Sequence, residues 1–142
     1  MSTEDNKRLT HRGYDALNER DWAAFDALCA PEIVLHNASM TIQGLEPYKQ
    51  FISMYFAAFP DGRLTIEDII AEGDKVVARH AFHGTHRGAL MGIPATGKEV
   101  TATGINIIHF ANGKAVEEWA NYDDLGLLQQ LGVIPAPGQV RS

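Results

Sequence analysis

The apolar positions of this chain change period part-way along. Up to about residue 60 they recur at helical intervals, and beyond Arg63 they alternate. Between Asp5 and Glu19, Leu9, Tyr14 and Leu17 mark one helix. Asp21 is placed to cap a second, with the stripe Trp22, Phe25, Leu28 and Cys29, ended by Pro31. Ile33-Val34-Leu35-His36 predicts a short strand, and Met40-Thr41-Ile42 a partner for it. Leu45 to Phe59 predicts a third helix. Pro47 suits its first turn, and Tyr48, Phe51, Ile52, Tyr55, Phe56 and Phe59 give it a wide apolar face.

The second half predicts strands at Leu64 to Ala71, Lys75 to Phe82, Glu99 to Phe110 and Lys114 to Tyr122. Asp124 is placed to cap a last short helix through Leu125, Leu127, Leu128 and Leu131, with Gly132 as its stop. Residues 1–134 read as one domain and 135–142 as a flexible tail. Helices followed by an antiparallel run indicate an α+β fold. A curled sheet closed by helices on its concave side leaves a pocket between the layers.

The most informative segment is the hairpin around Asn112-Gly113. Trp119 and Asp123 are four residues apart on one strand and share a face. An aromatic wall beside a carboxylate raises the acid's pKa and makes it a usable base. Two registers are open. A two-residue turn pairs Ala111 with Lys114 and sends His109 to the face away from Trp119. A bulged three-residue turn pairs Phe110 with Lys114, and His109, Ile105, Trp119 and Asp123 then share one surface. The second is preferred because it buries Ile105, Ile107 and Trp119 together. Either Asp123 or Asp124 could cap the following helix, and if Asp124 does so, Asp123 is free.

Composition narrows the function classes. The chain has 142 residues, 45% hydrophobic and 21% charged, with a net charge of −6. An acidic chain without a basic face is not built for nucleic acid or an anionic membrane. No apolar run is long enough to span a bilayer, and the polar, acidic N-terminus does not read as a signal peptide. The lone Cys29 reads as buried filler and fits a reducing cytoplasm. Gly92 to Lys98 imitates a phosphate-binding loop, but Glu99 follows the lysine and Pro94 removes a donor, so it reads as a loop over a pocket edge. His80, His83 and His86 do not form a metal site. On one strand His80 and His86 lie about 20 Å apart, and zinc needs ligands at about 2 Å. One of them reaches the pocket and the others sit at the surface.

The stretch from Phe59 to Gly132 resembles the SnoaL-like polyketide cyclases of the NTF2-like superfamily. The matching residues are Phe59-Pro60-Asp61, Glu72 to Val77, Gly84-Thr85-His86, Met91 to Lys98, Asn112-Gly113-Lys114, Glu117-Glu118-Trp119, Asp123 and Leu128 to Gly132. Tyr14 to Asp21 also resembles that family's first helix and its exit.

The resemblance implies a cone-shaped fold around an apolar cavity, in a homodimer or homotetramer. It implies that Asp123 is the acid/base and that His109 assists. Where those cyclases carry an amide side chain two residues before the histidine, this chain has Ile107. Asn37, or Asn106 in the other register, then supplies that hydrogen bonding. The expected chemistry is intramolecular aldol closure of a polyketide-type ester or related aromatic β-dicarbonyl, with no cofactor and no metal. Trp119 would dry Asp123 and stack on the substrate. Tyr14, Tyr55, Phe59 and Met91 are candidates for the wall, with plain core packing as the alternative for each. Two other functions stay open: a cofactor-independent hydroxylase and a non-catalytic small-molecule binder.

Overall fold

A computed structural model describes residues 2–38, 40–135 and 138. Most of the tail expected beyond residue 134 lies outside the described residues. Three helices precede and interrupt the first strands: α1 (Thr3–Glu19), α2 (Trp22–Leu28), β1 (Cys29–Asn37), β2 (Met40–Gln43) and α3 (Leu45–Ala58). Then follow β3 (Arg63–Glu72), β4 (Lys75–Thr85), β5 (Glu99–Ala111), β6 (Lys114–Tyr122) and α4 (Asp124–Gln130). The strands form one six-stranded sheet in the order β2-β1-β6-β5-β4-β3. The helices close its concave side, in the α+β arrangement that the change of period predicts.

Local chemistry accounts for the ends of the helices. Ser2 and Asp5 form a reciprocal capping box at α1. Asp21 caps α2 through Ala24 N–H at 3.1 Å, as its position predicts. Pro31 does not end that helix: α2 stops at Leu28 and Pro31 lies within β1. One strand pair departs from the expected antiparallel pattern, since β1 runs parallel to β6. The long excursion through β2, α3 and the β3–β5 meander makes that crossover possible.

The hairpin adopts neither expected register in full. Asn112 and Gly113 both have positive φ, 53° and 77°, and form the two-residue turn that pairs Ala111 with Lys114. A bulge then skips Val116, so His109 lies opposite Glu117 and Ile107 opposite Trp119. His109 and Trp119 therefore share a face, but it is the convex one. The concave face carries Asn106, Ile108, Phe110, Ala115, Glu118 and Ala120, all buried.

Two apolar clusters result. The larger joins Leu17, Phe25, Ile33, Leu35, Phe56, Val76, Ile108 and Phe110 across the helix–sheet interface. The smaller holds Phe59, Leu90, Val100, Leu127 and Leu131 beside it. The loop from His86 to Lys98 belongs to the smaller cluster. Its ends are tied by His86 N–H to Lys98 O and Gly97 N–H to His86 O, at 2.9 and 2.8 Å. Burying Leu90 holds this loop on the protein instead of leaving it over a pocket edge.

Candidate active site

Between helices and sheet lies a hollow of about 150 Å³, open on one side. Leu9, Leu17, Phe25, Ile33, Phe51, Phe56 and Phe110 give it apolar walls. Such a hollow suits an apolar, aromatic guest with a few fixed polar contacts. No lysine or arginine is among the described residues lining it, and the charged side chains there are Glu118 and Asp124.

The polar groups lie in a band across the sheet. On β4, alternation aims His80 inward, 4% exposed. The Tyr14 hydroxyl of α1 is 3.1 Å from His80 Nδ1, and the Tyr122 ring packs edge-on at 5.8 Å. Gly104 makes room beneath: a Cβ there would stand 2.8 Å from both His80 Nε2 and Tyr122 Cδ1. Burial pushes the His80 imidazole down to about 4, so it is neutral at physiological pH. Burial, and then the charge of Glu118, push the Tyr14 hydroxyl upward. Of the three histidines on and after β4, His80 is the one that reaches the cavity. His83 is exposed beside Thr101. His86 is not at the surface as expected. It is fully buried, its Nδ1 accepting Thr96 N–H at 3.1 Å.

Glu118 is equally buried, 4% exposed. Its carboxylate accepts the Tyr48 hydroxyl on one oxygen and Asn106 Nδ2 on the other, the latter at 2.7 Å. Burial raises its pKa, while those two donors pull it back down.

Asp124 marks the mouth. The tandem Asp123-Asp124 divides its labour, but in the reverse of the expected sense. Asp123 is the exposed N-cap of α4, accepting Gly126 N–H at 2.9 Å. Asp124, the first helical residue, is half-buried and lines the cavity. Burial, and then the neighbouring Asp123 charge, raise its pKa. Its own charge acts on Tyr55, whose hydroxyl is pushed up to about 12, chiefly by burial.

Of the nine residues expected at the site, Tyr14 and Tyr55 line the hollow. Asp123 lies outside it, because its carboxylate is spent on the helix cap. His109 lies on the convex face, its Nε2 2.8 Å from Asp74. Trp119 is also convex, stacked on His36 with centroids 5.4 Å apart, and does not cover Asp123. Ile107 stands beside it, exposed. Phe59, 0% exposed, is core packing against Phe82 and His86. Met91 is exposed at a tight turn with φ 47°. Asn37 is buried on β1 but is not among the lining residues. His80, Glu118, Asp124, Tyr122, Tyr48 and Asn106 take their places. The signal for several of them was their strand phase, shared with Ile108 and Phe110.

Fold and cavity together define a small-molecule pocket protein of the α+β cone type. The SnoaL-like polyketide cyclase model matches residues 8–131, and the chain belongs to that family. It is 32% identical over 139 residues to the aklanonic acid methyl ester cyclase DnrD of Streptomyces peucetius, covering 93% of this chain and 92% of that one. Among solved structures it is similar to TsrD from Streptomyces laurentii, with 31% identity, TM-score 0.85 and coverage of 94% and 99%. It is also similar to AclR from Streptomyces galilaeus, named as a candidate hydroxylase, with 28% identity, TM-score 0.88 and coverage of 97% and 87%. Among the described residues no helix is long and apolar enough to cross a membrane. Nor do three or more His, Cys, Asp or Glu side chains gather there to hold a metal ion.

Proposed function

We propose that this protein closes a ring in a polyketide-type ester or related β-dicarbonyl compound by an intramolecular aldol reaction, using its own acid/base groups. One observation carries the reading: Asp124 is a carboxylate with a raised pKa lining an apolar hollow, with no lysine or arginine among the described lining residues. Asp124 removes a proton from a carbon flanked by two carbonyls. The enolate carbon attacks a third carbonyl of the same molecule, forming the C–C bond, and the new alkoxide takes the proton back from Asp124. The reaction is a net isomerisation. The Tyr14–His80 pair and Tyr122 face the developing oxyanion with hydrogen-bond donors. The apolar walls fold a flexible chain into a reactive pose.

The test is turnover of a β-keto ester carrying a pendant ketone. Asp124→Asn should lower kcat/KM by about 10²- to 10⁴-fold. A folded Asp124→Asn protein with wild-type kcat/KM would sink the reading. The likeness to AclR favours a second reading, hydroxylation of a substrate carbanion by oxygen. Stoichiometric oxygen consumption with substrate would select it over ring closure.

The convex face supports assembly into a homo-oligomer. Paired positions Ile70, Val77, Ile107 and Trp119 run across four strands, and Ile70 and Ile107 are 60% and 37% exposed. Ile107→Glu should shift the sedimentation coefficient to that of a single chain. A wild-type protein that already sediments as one chain would remove this proposal.

A further inference from the structure

We propose that Glu118, held by Tyr48 and Asn106, forms a subsite that takes a hydroxyl group of the ligand, a phenol or enol. This rests on reading the hollow as the ligand site and extends it to the class of group that meets Glu118.

Glu118 lies in the middle of the sheet, flanked by the buried Leu35 and Ile108 on neighbouring strands. Tyr122 is four residues further along β6, and it, Asp124 and Glu118 line the same hollow.

The chemistry at Glu118 follows from donor counting. A carboxylate offers about four lone-pair positions. Tyr48 and Asn106 each supply one hydrogen. Burying a carboxylate without a counter-charge is costly unless hydrogen-bond donors surround it, and among the described residues lining the cavity there is no lysine or arginine to balance it. Tyr14, Cys29 and Tyr122 are all pushed upward, by burial first and Glu118 next. A ligand hydroxyl relieves this site. An ether or carboxylate in the same place leaves it short of a donor or adds repulsion. The surroundings are aromatic: the Tyr48 ring lies 5.9 Å from Phe25. The hydroxyl that fits best is one on a flat ring.

The experiment uses unreactive probes and the full chain, so it does not depend on turnover. The affinities of 2-naphthol and 2-methoxynaphthalene are measured by titration calorimetry. The wild type should prefer the naphthol by about 10- to 100-fold, the range for a hydrogen bond to a charged group. Glu118→Gln should cut the preference to about threefold or less, while Asp124→Asn should keep it. Loss of turnover and loss of hydroxyl preference are thereby separable. Equal affinity for the two probes in the wild type, or none for either, overturns the proposal. So does a preference that survives in Glu118→Gln, or a 2-naphthylmethylammonium ion that outcompetes the naphthol. Should Glu118→Gln fail to fold, a 2-naphthol-soaked wild-type crystal decides. The hydroxyl within hydrogen-bond distance of the Glu118 carboxylate supports the subsite, and the hydroxyl elsewhere refutes it.

Discussion

The two faces of the β5–β6 hairpin carry nearly the same side-chain types and use them differently. On the convex face, Glu117 has His36 and His109 for neighbours, with Trp119 beside them. On the concave face, Glu118 has Tyr48 and Asn106, with His80 and Tyr122 further along. The convex carboxylates meet histidines on a half-exposed surface, where an ion pair is worth little. The concave ones line the hollow, where burial raises their pKa values. Residue type therefore does not locate the chemistry here. Exclusion of water does, and one residue of strand phase decides which acid and which histidine it reaches.

The largest effect that could break this contrast is on turnover. Asp124→Asn should cost about 10²- to 10⁴-fold in kcat/KM. His109→Ala, on the wet face, should cost less than about threefold. In the wild type, kcat/KM should rise with pH through a carboxylate pKa above the ordinary 3.8, because the base works ionised and its pKa is raised. A loss in His109→Ala equal to that in Asp124→Asn would transfer the chemistry to the other face.

The histidines sharpen the contrast through stability. The folded-state pKa of His80 is about 4, below its ordinary 6.5. On acidification the unfolded chain takes the proton first. This contribution is complete above about pH 6.5 and is lost as pH falls toward 4. It amounts to about 2 kcal/mol between pH 7 and pH 5. Glu118 works in the opposite sense, since its pKa is raised on folding. The readout is therefore the difference between proteins. Urea unfolding of wild type and His80→Asn should show the extra acid loss in the wild type only. His109→Gln should leave the wild-type loss intact. An identical pH slope in wild type and His80→Asn would mean that His80 is not held neutral by burial.

Much of the fold is legible in the chain because it rests on local signals. The helical stripe of α3, the Asp21 cap and the two-residue turn at Asn112-Gly113 need no tertiary information. The site is less legible, for one physical reason. On β5 the phase Ile105, Ile107, His109 is at least as apolar as the phase Gly104, Asn106, Ile108, Phe110. Burial logic assigns the first phase to the interior, and the protein does the reverse. The concave phase carries a glycine, an amide and a carboxylate because it lines a cavity, where rings and polar groups need room. A phase that reads as a poor core is then the mark of a site. The convex phase is apolar along a row that continues to Ile70. The bulge at Val116 could not be read locally, since it depends on how β6 meets both β1 and β5.

The smallest expected effect concerns Asp123, whose position beside Asp124 separates two roles within one residue. Its side chain caps α4, and its charge helps to raise the pKa of Asp124. Asparagine is as good a cap as aspartate but carries no charge. Asp123→Asn should therefore keep the unfolding free energy within a few tenths of a kcal/mol. It should also move the acid limb of the kcat/KM profile to lower pH, because the repulsion is gone. Asp123→Ala removes both roles and should cost about 1 kcal/mol of stability as well. Both variants should keep most of their activity at neutral pH, where Asp124 is ionised in either. If Asp123→Asn instead loses as much kcat/KM as Asp124→Asn, the carboxylate at the helix cap is the working base and the division between the two aspartates is wrong.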